Sequence, residues 1–242
     1  MPEQMLALNF HKTFIPERRL LAALLAYAAL GKEGTYQEIA AATGIPMGRS
    51  TGKVPAILDY ARGMGLVFLA PPAAAGKKRP QLTPFGQVVY AEDRFLGEPV
   101  VQWLAHMHLC LPKGGARARW EVFAAGRKEL GSRFNAAQLE DYLTGRFGPG
   151  KDRTGPLVCT YFDDAALGRA RVISKSGEDM VRQKAPLFDS CALPYTAFAL
   201  QLLENFFPGQ VQVAVTDLAA QTMWFDICLW NQGDVEQVLS LL

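Results

Sequence analysis

The sequence is poor in cysteine and histidine and has no long apolar run, and each scarcity excludes a class of protein. Its 242 residues contain four cysteines and three histidines. The cysteines lack the Cys-x-x-Cys and Cys/His spacings of a structural zinc site, so we expect reduced thiols buried as small apolar groups. The longest apolar run, residues 20–30, is shorter than the roughly 18 residues that a membrane-spanning helix needs. Because the first residues also lack the regions of a secretory signal peptide, the sequence predicts a cytoplasmic protein.

Lysine and arginine are absent from the end of the chain. Residues 185–242 carry six acidic residues and no basic one, whereas residues 1–90 carry ten basic residues against five acidic ones. Basic surfaces attract polyanions such as nucleic acid, and acidic surfaces repel them. We therefore expect a DNA partner at the basic end and a protein partner at the acidic end. The alternative is a charge asymmetry without any role in nucleic-acid binding.

The first ninety residues contain the local signals of a helix-turn-helix. Leucines spaced three and four residues apart over residues 20–28 form one apolar stripe, which predicts a first helix. Thr35 and Glu38 have the spacing of a capping box, which predicts the start of a second helix, and Gly44 is a candidate left-handed C-cap for it. A third helix that begins near Thr51 or Gly52 would then be the recognition helix.

Two groups of residues are predicted to contact DNA. Four of them cluster at the start of the third helix: Arg49, Ser50, Thr51 and Lys53. Free N–H groups and the helix dipole favour phosphate there, and short hydroxyls and long cations can reach base edges. The second group is the basic tip between two short predicted strands, near residues 66–69 and 81–83: Lys77, Lys78 and Arg79. Two short strands with a basic tip are typical of a wing, although some winged helices only dock proteins.

The rest of the chain is predicted to be mostly helical. On a helix over residues 117–125, Trp120 and Phe123 would face the core, and Arg117 and Arg119 would be available for phosphates. Further helices are predicted over 98–111, 136–147 and 157–167, the second of them capped by Asn135. The segments 211–218 and 223–230 fit either a helix or a strand.

The predicted fold class is therefore mainly α with a small β wing. Half of the residues are apolar and a fifth are charged, which indicates a globular chain with a sizeable core. We expect a winged helix-turn-helix DNA-binding domain over residues 1–95 and a mostly helical domain over residues 96–242. The glycine-rich segment 148–155 is a candidate boundary within the second domain, and it lacks the Gly-Lys-Ser/Thr of a phosphate-binding loop.

Candidates for metal binding and catalysis are weak in this sequence. His106 and Cys110 would share a helix face, but the sequence offers no third ligand. The acidic pairs at 163–164 and 178–179 could bind Mg²⁺ for phosphodiester chemistry, although neighbouring acids more often lie in solvated turns. No metal site is predicted, and the catalytic residues, if any, stay unknown.

Several short motifs resemble a bacterial domain family of originally unknown function whose members lie beside genes for DNA sulfur modification. In chain order the motifs are F-H-K-T-F at 10–14, G-R-S-T-G-K-V-P-A-I-L-D-Y at 48–60, L-T-P-F-G at 82–86, F-L-G-E-P at 95–99 and W-L-A-H at 103–106. The resemblance covers most of residues 10–185 and is to the SspB-like proteins of DNA phosphorothioation clusters.

This resemblance implies a DNA-binding component of a bacterial anti-phage defence system that places sulfur in DNA. It also implies nicking endonuclease activity, with Mg²⁺ or Mn²⁺ as cofactor, and three protein partners: a cysteine desulfurase, an ATPase and a sulfur transferase. The sequence has no His-Asn-His or PD-x-K nuclease signature, so no catalytic set can be named. A winged-helix transcriptional regulator and a non-enzymatic protein-docking adaptor are the alternatives.

Overall fold

The computed structural model describes residues 4–47, 52–150 and 153–241, which form a mainly helical chain with two small β-sheets. The helices are α1 (Arg18–Ala29), α2 (Tyr36–Thr43), α3 (Lys53–Gly63), α4 (Pro84–Glu92), α5 (Pro99–Leu109), α6 (Arg117–Trp120), α7 (Arg127–Leu130), α8 (Ala136–Phe147), α9 (Thr154–Phe162), α10 (Ala192–Phe206), α11 (Val215–Thr222), α12 (Trp224–Ile227) and α13 (Gln232–Leu241). The strands are β1 (Val67–Ala70), β2 (Arg79–Leu82), β3 (Arg133–Phe134), β4 (Ile173–Ser176) and β5 (Asp179–Arg182). Within these ranges no helix combines the length and the hydropathy that crossing a membrane requires.

The first three helices form where the local signals predict them. The leucines of α1 are buried on one face. At the start of α2 the predicted capping box is complete, because the Thr35 hydroxyl accepts from the Glu38 N–H and the Glu38 carboxylate accepts from the Thr35 N–H at 2.7 Å. Gly44 follows α2 with a φ of 70°, as a left-handed C-cap requires. Helix α3 begins at Lys53, one or two residues after the predicted start.

An antiparallel hairpin of β1 and β2 follows α3. Its register pairs Val67 with Leu82 and Ala70 with Arg79. After β2, the Thr83 hydroxyl accepts from the Gly86 N–H at 2.9 Å and caps α4. The base of the hairpin and the first turn of α4 are therefore held together by local hydrogen bonds.

The second half of the chain is helical, as predicted, but it also contains a sheet that the sequence analysis missed. This sheet is antiparallel with the strand order β3-β5-β4. The helix predicted over 117–125 is instead α6 followed by a π-helical turn, Glu121–Ala125. The helix predicted over 157–167 corresponds to α9 and ends at Phe162. Both ambiguous C-terminal segments contain helices, α11 and α12.

One continuous hydrophobic core extends from residues before α1 to α13. Its centre lies around α5, where the His106 ring makes edge contacts with Trp103, Phe123 and Tyr161 at centroid distances of 4.7 to 5.5 Å. Edge-to-face packing of this kind is a favourable arrangement for aromatic rings. The division of the chain into domains over 1–95 and 96–242 stays a prediction.

Candidate nucleic-acid interface

The cationic tip of the β1–β2 hairpin is fastened to the turn between α1 and α2. Lys78 and Gly34 exchange two backbone hydrogen bonds, at 2.7 and 3.0 Å. Glu33 accepts from the Ala73 N–H at 2.8 Å, so a side chain of the same turn also holds the loop. Residues 71–76 of that loop are exposed. The hairpin tip therefore has a defined position beside the helices rather than projecting as a free loop.

The three cations of this tip differ in how far they are neutralised. The Lys77 ammonium lies 3.8 Å from the Glu33 carboxylate. The Lys78 ammonium lies 6.0 Å from the centre of the Tyr36 ring, in cation–π range. Arg79 forms no ion pair with any residue that the structure describes. The tip thus retains positive charge that a phosphate can use.

Asp59 on α3 lies close enough to the hairpin to be influenced by it. Burial raises the pKa of the Asp59 carboxyl, and the nearby charges of Arg62 and Lys78 oppose this shift. Arg62 forms an ion pair with Asp59 at 3.0 Å. The fold therefore brings Lys78 of the hairpin close to Asp59 on α3.

The start of α3 offers less free charge than the sequence suggests. The Lys53 ammonium lies 2.6 Å from the Glu17 carboxylate and 5.5 Å from the centre of the Phe14 ring, and its side chain is 19% exposed. A contact with DNA would require this ion pair to rearrange. The other three residues predicted at this position, Arg49, Ser50 and Thr51, lie outside the described residues.

The two arginines predicted on α6 have opposite environments. Arg117 is exposed, with its guanidinium 5.2 Å from the centre of the Phe147 ring. Arg119 is fully buried, which corrects the expectation that it contacts phosphate. A guanidinium without access to solvent cannot reach a phosphate on the surface. The sequence did contain a signal for this burial. Arg119 precedes the inward-facing Phe123 by four residues and therefore shares its helical face.

Buried Arg119 lies among polar side chains without a carboxylate. Its Nη2 donates to the Tyr60 and Thr160 hydroxyls, each at 3.0 Å. Its Nε and Nη1 have no hydrogen-bond partner among the described residues. Nearby, the Nδ1 of His106 lies 2.8 Å from the Tyr161 hydroxyl and 3.6 Å from the Cys110 sulfur. Burial lowers the pKa of His106 well below its usual value, and the charges of Arg182 and Arg119 add to the shift.

The described residues do not form a site for the divalent metal that the family resemblance implies. Within them, no three His, Cys, Asp or Glu side chains come together. Asp164 is instead paired with Arg18 and Arg169, at 3.3 and 3.0 Å. Asp179 is paired with Arg133 at 2.8 Å. These carboxylates are held by guanidinium groups, so we derive no metal-dependent step from this structure.

An open surface cavity beside α1, lined by one aromatic residue and two arginines, was not predicted from the sequence. It has a volume of about 410 Å³ and is lined by Glu17, Arg18, Arg19, Phe95 and Ala165. Its residues come from three separate parts of the chain. A sequence pattern alone does not bring them together, and the one available signal is that the aromatic Phe95 directly follows an arginine.

Comparison with known proteins gives a match of fold. No family model matches the chain, and no curated protein matches its sequence. Two solved structures are similar to it, a magnesium-ion-bound crystal structure of SspB and a second crystal structure of SspB, with TM-scores of 0.56 and 0.54. Each is 16% identical in sequence, and the match covers 78% of this chain and 65% of the SspB chain. The comparison supports a distant SspB-like fold, which agrees with the resemblance of the short motifs.

Proposed function

We propose that this protein is a DNA-binding component of a bacterial DNA phosphorothioation system. The proposed contact surface consists of the β1–β2 hairpin and the start of α3. Three helices followed by an antiparallel hairpin have the element order of a winged helix, in which the third helix enters a groove and the hairpin lies along the backbone. The link to phosphorothioation is supported by the distant similarity of fold to SspB.

The main support for the DNA proposal is the position of the cationic hairpin, whose tip is hydrogen-bonded to the turn between α1 and α2. The backbone bonds between Lys78 and Gly34 give the tip a fixed position, which reduces the entropy lost when it binds a phosphate backbone. Lys77, Lys78 and Arg79 then contribute a sequence-independent electrostatic attraction. Exposed Arg117 is a further candidate for a phosphate contact.

Binding of a labelled DNA duplex over a range of salt concentrations tests this proposal. The test variant is Lys77→Gln/Lys78→Gln/Arg79→Gln. Its matched control removes three exposed cations elsewhere, in Lys128→Gln/Arg171→Gln/Lys175→Gln, with the same change of net charge. Each phosphate contact contributes about 0.9 to the slope of log K against log salt. We therefore expect the hairpin variant to lower the slope by roughly 2 to 3 and the control to leave it nearly unchanged.

Two outcomes would overturn the proposal. One is the absence of duplex binding by the wild type at low salt, which would favour the protein-docking adaptor. The other is an equal loss of binding in the hairpin variant and the control, which would indicate a diffuse charge effect.

Incubation of supercoiled plasmid with Mg²⁺ or Mn²⁺ separately tests nicking, for which open circles are the positive result. The alternative function, a transcriptional regulator, would require the protein to be a dimer and to bind a palindromic site.

The acidic end of the chain is proposed to dock proteins of the same system. Phe188, Leu193 and Leu200 are exposed by 56 to 79% in a segment that has no lysine or arginine. Exposed apolar side chains among acidic ones suit a partner with a basic and apolar surface. The cysteine desulfurase, the ATPase and the sulfur transferase of such systems are the proposed partners, and pull-down with each purified protein tests them.

A further inference from the structure

The cavity beside α1 has the composition of a nucleobase site. Phe95 lines it and has 52% of its surface exposed. The guanidinium of Arg94 lies 5.4 Å from the centre of the Phe95 ring and 5.8 Å from that of Tyr90. An exposed aromatic face beside arginines is the arrangement with which proteins bind unstacked bases, because the ring stacks on the base and the cations attract the backbone.

Phe95 is exposed on a firmly held loop. The Phe95 carbonyl accepts a hydrogen bond from Arg18 Nη1 at 3.2 Å. The Asp93 carboxylate accepts from the N–H groups of Gly97 and Glu98, at 2.7 and 2.9 Å. These bonds fix the backbone on both sides of the ring. The exposure of Phe95 is therefore a consequence of the fold rather than of a loose loop, and the ring is available as a preformed stacking surface.

The charge balance around the cavity favours a phosphate. Arg19 is exposed and forms no ion pair within the described ranges. The carboxylate of Glu17, which also lines the cavity, is neutralised by Lys53 at 2.6 Å. Asp164 is shared between Arg18 and Arg169. Glu17 and Asp164 are thus paired with cations, whereas Arg19 has no acidic partner among the described residues and can bind an anion.

The cavity also lies next to the proposed DNA surface. Glu17 lines the cavity and, through its ion pair, contacts Lys53 at the start of α3. Helix α1 begins at Arg18, directly after Glu17. A strand bound along the start of α3 would therefore lie close to the cavity.

We propose that this cavity binds one unstacked nucleobase of DNA, which stacks on Phe95 while Arg19 contacts the adjacent phosphate. The inference rests on the proposed DNA-binding function and assigns it a substrate class, DNA with an unpaired nucleotide. A base in an intact duplex cannot enter the cavity, because it is stacked between its neighbours and paired with the opposite strand. The protein would accordingly bind a gapped or bulged duplex more tightly than a perfect one.

The test compares two duplexes of equal length, one perfect and one with a single unpaired 2-aminopurine. Binding to each is measured for the wild type, Phe95→Ala, Phe95→Trp and the control Phe188→Ala, which removes another exposed phenyl ring. Thermal unfolding verifies that each variant is folded. Stacking on an aromatic side chain contributes a factor of roughly five to a hundred in affinity. We expect Phe95→Ala to lose about this factor for the bulged duplex only.

Fluorescence gives a second readout that a merely structural role would not change. In the wild type, removal of the 2-aminopurine from the base stack into the cavity should raise its fluorescence, and Phe95→Ala should reduce this rise. Phe95→Trp should retain the binding preference, and the new indole should itself be quenched by the bulged duplex. Arg19→Gln should weaken the binding of the bulged duplex and reduce its salt dependence.

The outcomes separate the two proposals. Equal affinity of the wild type for both duplexes, or equal effects of Phe95→Ala and Phe188→Ala, would overturn the nucleobase site and leave the duplex-binding surface in place. An absence of binding to either duplex at low salt would overturn both proposals. A preference for the bulged duplex that depends on Phe95 would support the nucleobase site.

Discussion

Arg119 donates a hydrogen bond to the hydroxyl of Tyr60 across the interior, 59 residues away along the chain, at 3.0 Å. Its guanidinium lies 5.1 Å from the centre of the Tyr60 ring and 5.6 Å from that of Phe10. No carboxylate among the described residues pairs with it. The charge is stabilised by aromatic faces and hydroxyl groups, a costly arrangement because a buried charge loses its hydration.

Replacing Arg119 with methionine should therefore preserve or increase stability. The side chains have similar length, and Tyr60 and Thr160 keep partners of their own, the carbonyls of Phe14 and Pro156. We expect the free energy of unfolding of Arg119→Met to stay the same or to rise by about 1 to 2 kcal/mol. Chemical denaturation measures this difference. Arg119→Ala is the comparison, and it should lower stability because it leaves a cavity. A loss above about 3 kcal/mol in Arg119→Met would contradict this account.

The buried histidines should make the protein sensitive to acid. Burial lowers the pKa of His108 to about 4, and burial together with the charge of Arg119 lowers the pKa of His11 to about 4. In the unfolded chain both groups bind protons below about 6.5, whereas in the native state they do so only near 4. The contribution of these two neutral histidines to stability is therefore complete above about pH 6.5 and is lost as the pH falls toward 4.

This linkage predicts a loss of about 2 kcal/mol for each of these two histidines between pH 7 and pH 5. Denaturation curves at the two pH values measure the total. His108→Gln is the control, because it removes one titrating ring that packs on Phe85 at a centroid distance of 5.2 Å. Its stability should fall by about 2 kcal/mol less than that of the wild type over the same pH interval. If the stability of the wild type and of His108→Gln depended on pH in the same way, the lowered pKa of His108 in the native state would be contradicted.

Two glycines in helices should respond in opposite directions to substitution by alanine. A Cβ at Gly86 would lie 1.8 Å from the Leu66 carbonyl oxygen, which is backbone and cannot move aside. We expect Gly86→Ala to lower the free energy of unfolding by more than about 2 kcal/mol, since it separates α4 from the base of the hairpin. A Cβ at Gly145 in α8 would meet no atom within 4 Å.

Gly145→Ala should accordingly stabilise the protein by about 0.5 to 1 kcal/mol, because alanine has the higher helix propensity. Urea denaturation of both variants measures the contrast. A similar change in the free energy of unfolding of the two variants would contradict the close contact between Gly86 in α4 and Leu66, directly before β1.

Features determined by neighbouring residues could be predicted from the sequence. The capping boxes at Thr35 and Asn135 are complete, and Gly44 has the left-handed conformation expected of it. Each of these depends on a hydrogen bond or a backbone angle within four residues. The sheet β3-β5-β4 was not predicted, because its strands have only two to four residues. Such short segments have no periodicity to detect.

The candidate sites were predictable only in part, for the same reason. The sequence identified the cations of the hairpin, but the pairing of Lys53 with Glu17 connects residues 36 positions apart. The burial of Arg119 depends on helices that pack from both halves of the chain. The cavity at Phe95 is lined by residues from distant parts of the chain, where Arg18 donates to the Asp164 carbonyl, 146 residues away.

The sequence by itself determined the helical content, the caps, the cationic hairpin and the acidic end without lysine or arginine. The tertiary structure decided which cations remain free, which one is buried, and which aromatic ring faces a cavity. The physical reason is the range of the interactions. Helices and turns are set by hydrogen bonds and side-chain spacing within a few residues. Burial and ion pairing depend on which distant segments the hydrophobic core brings into contact.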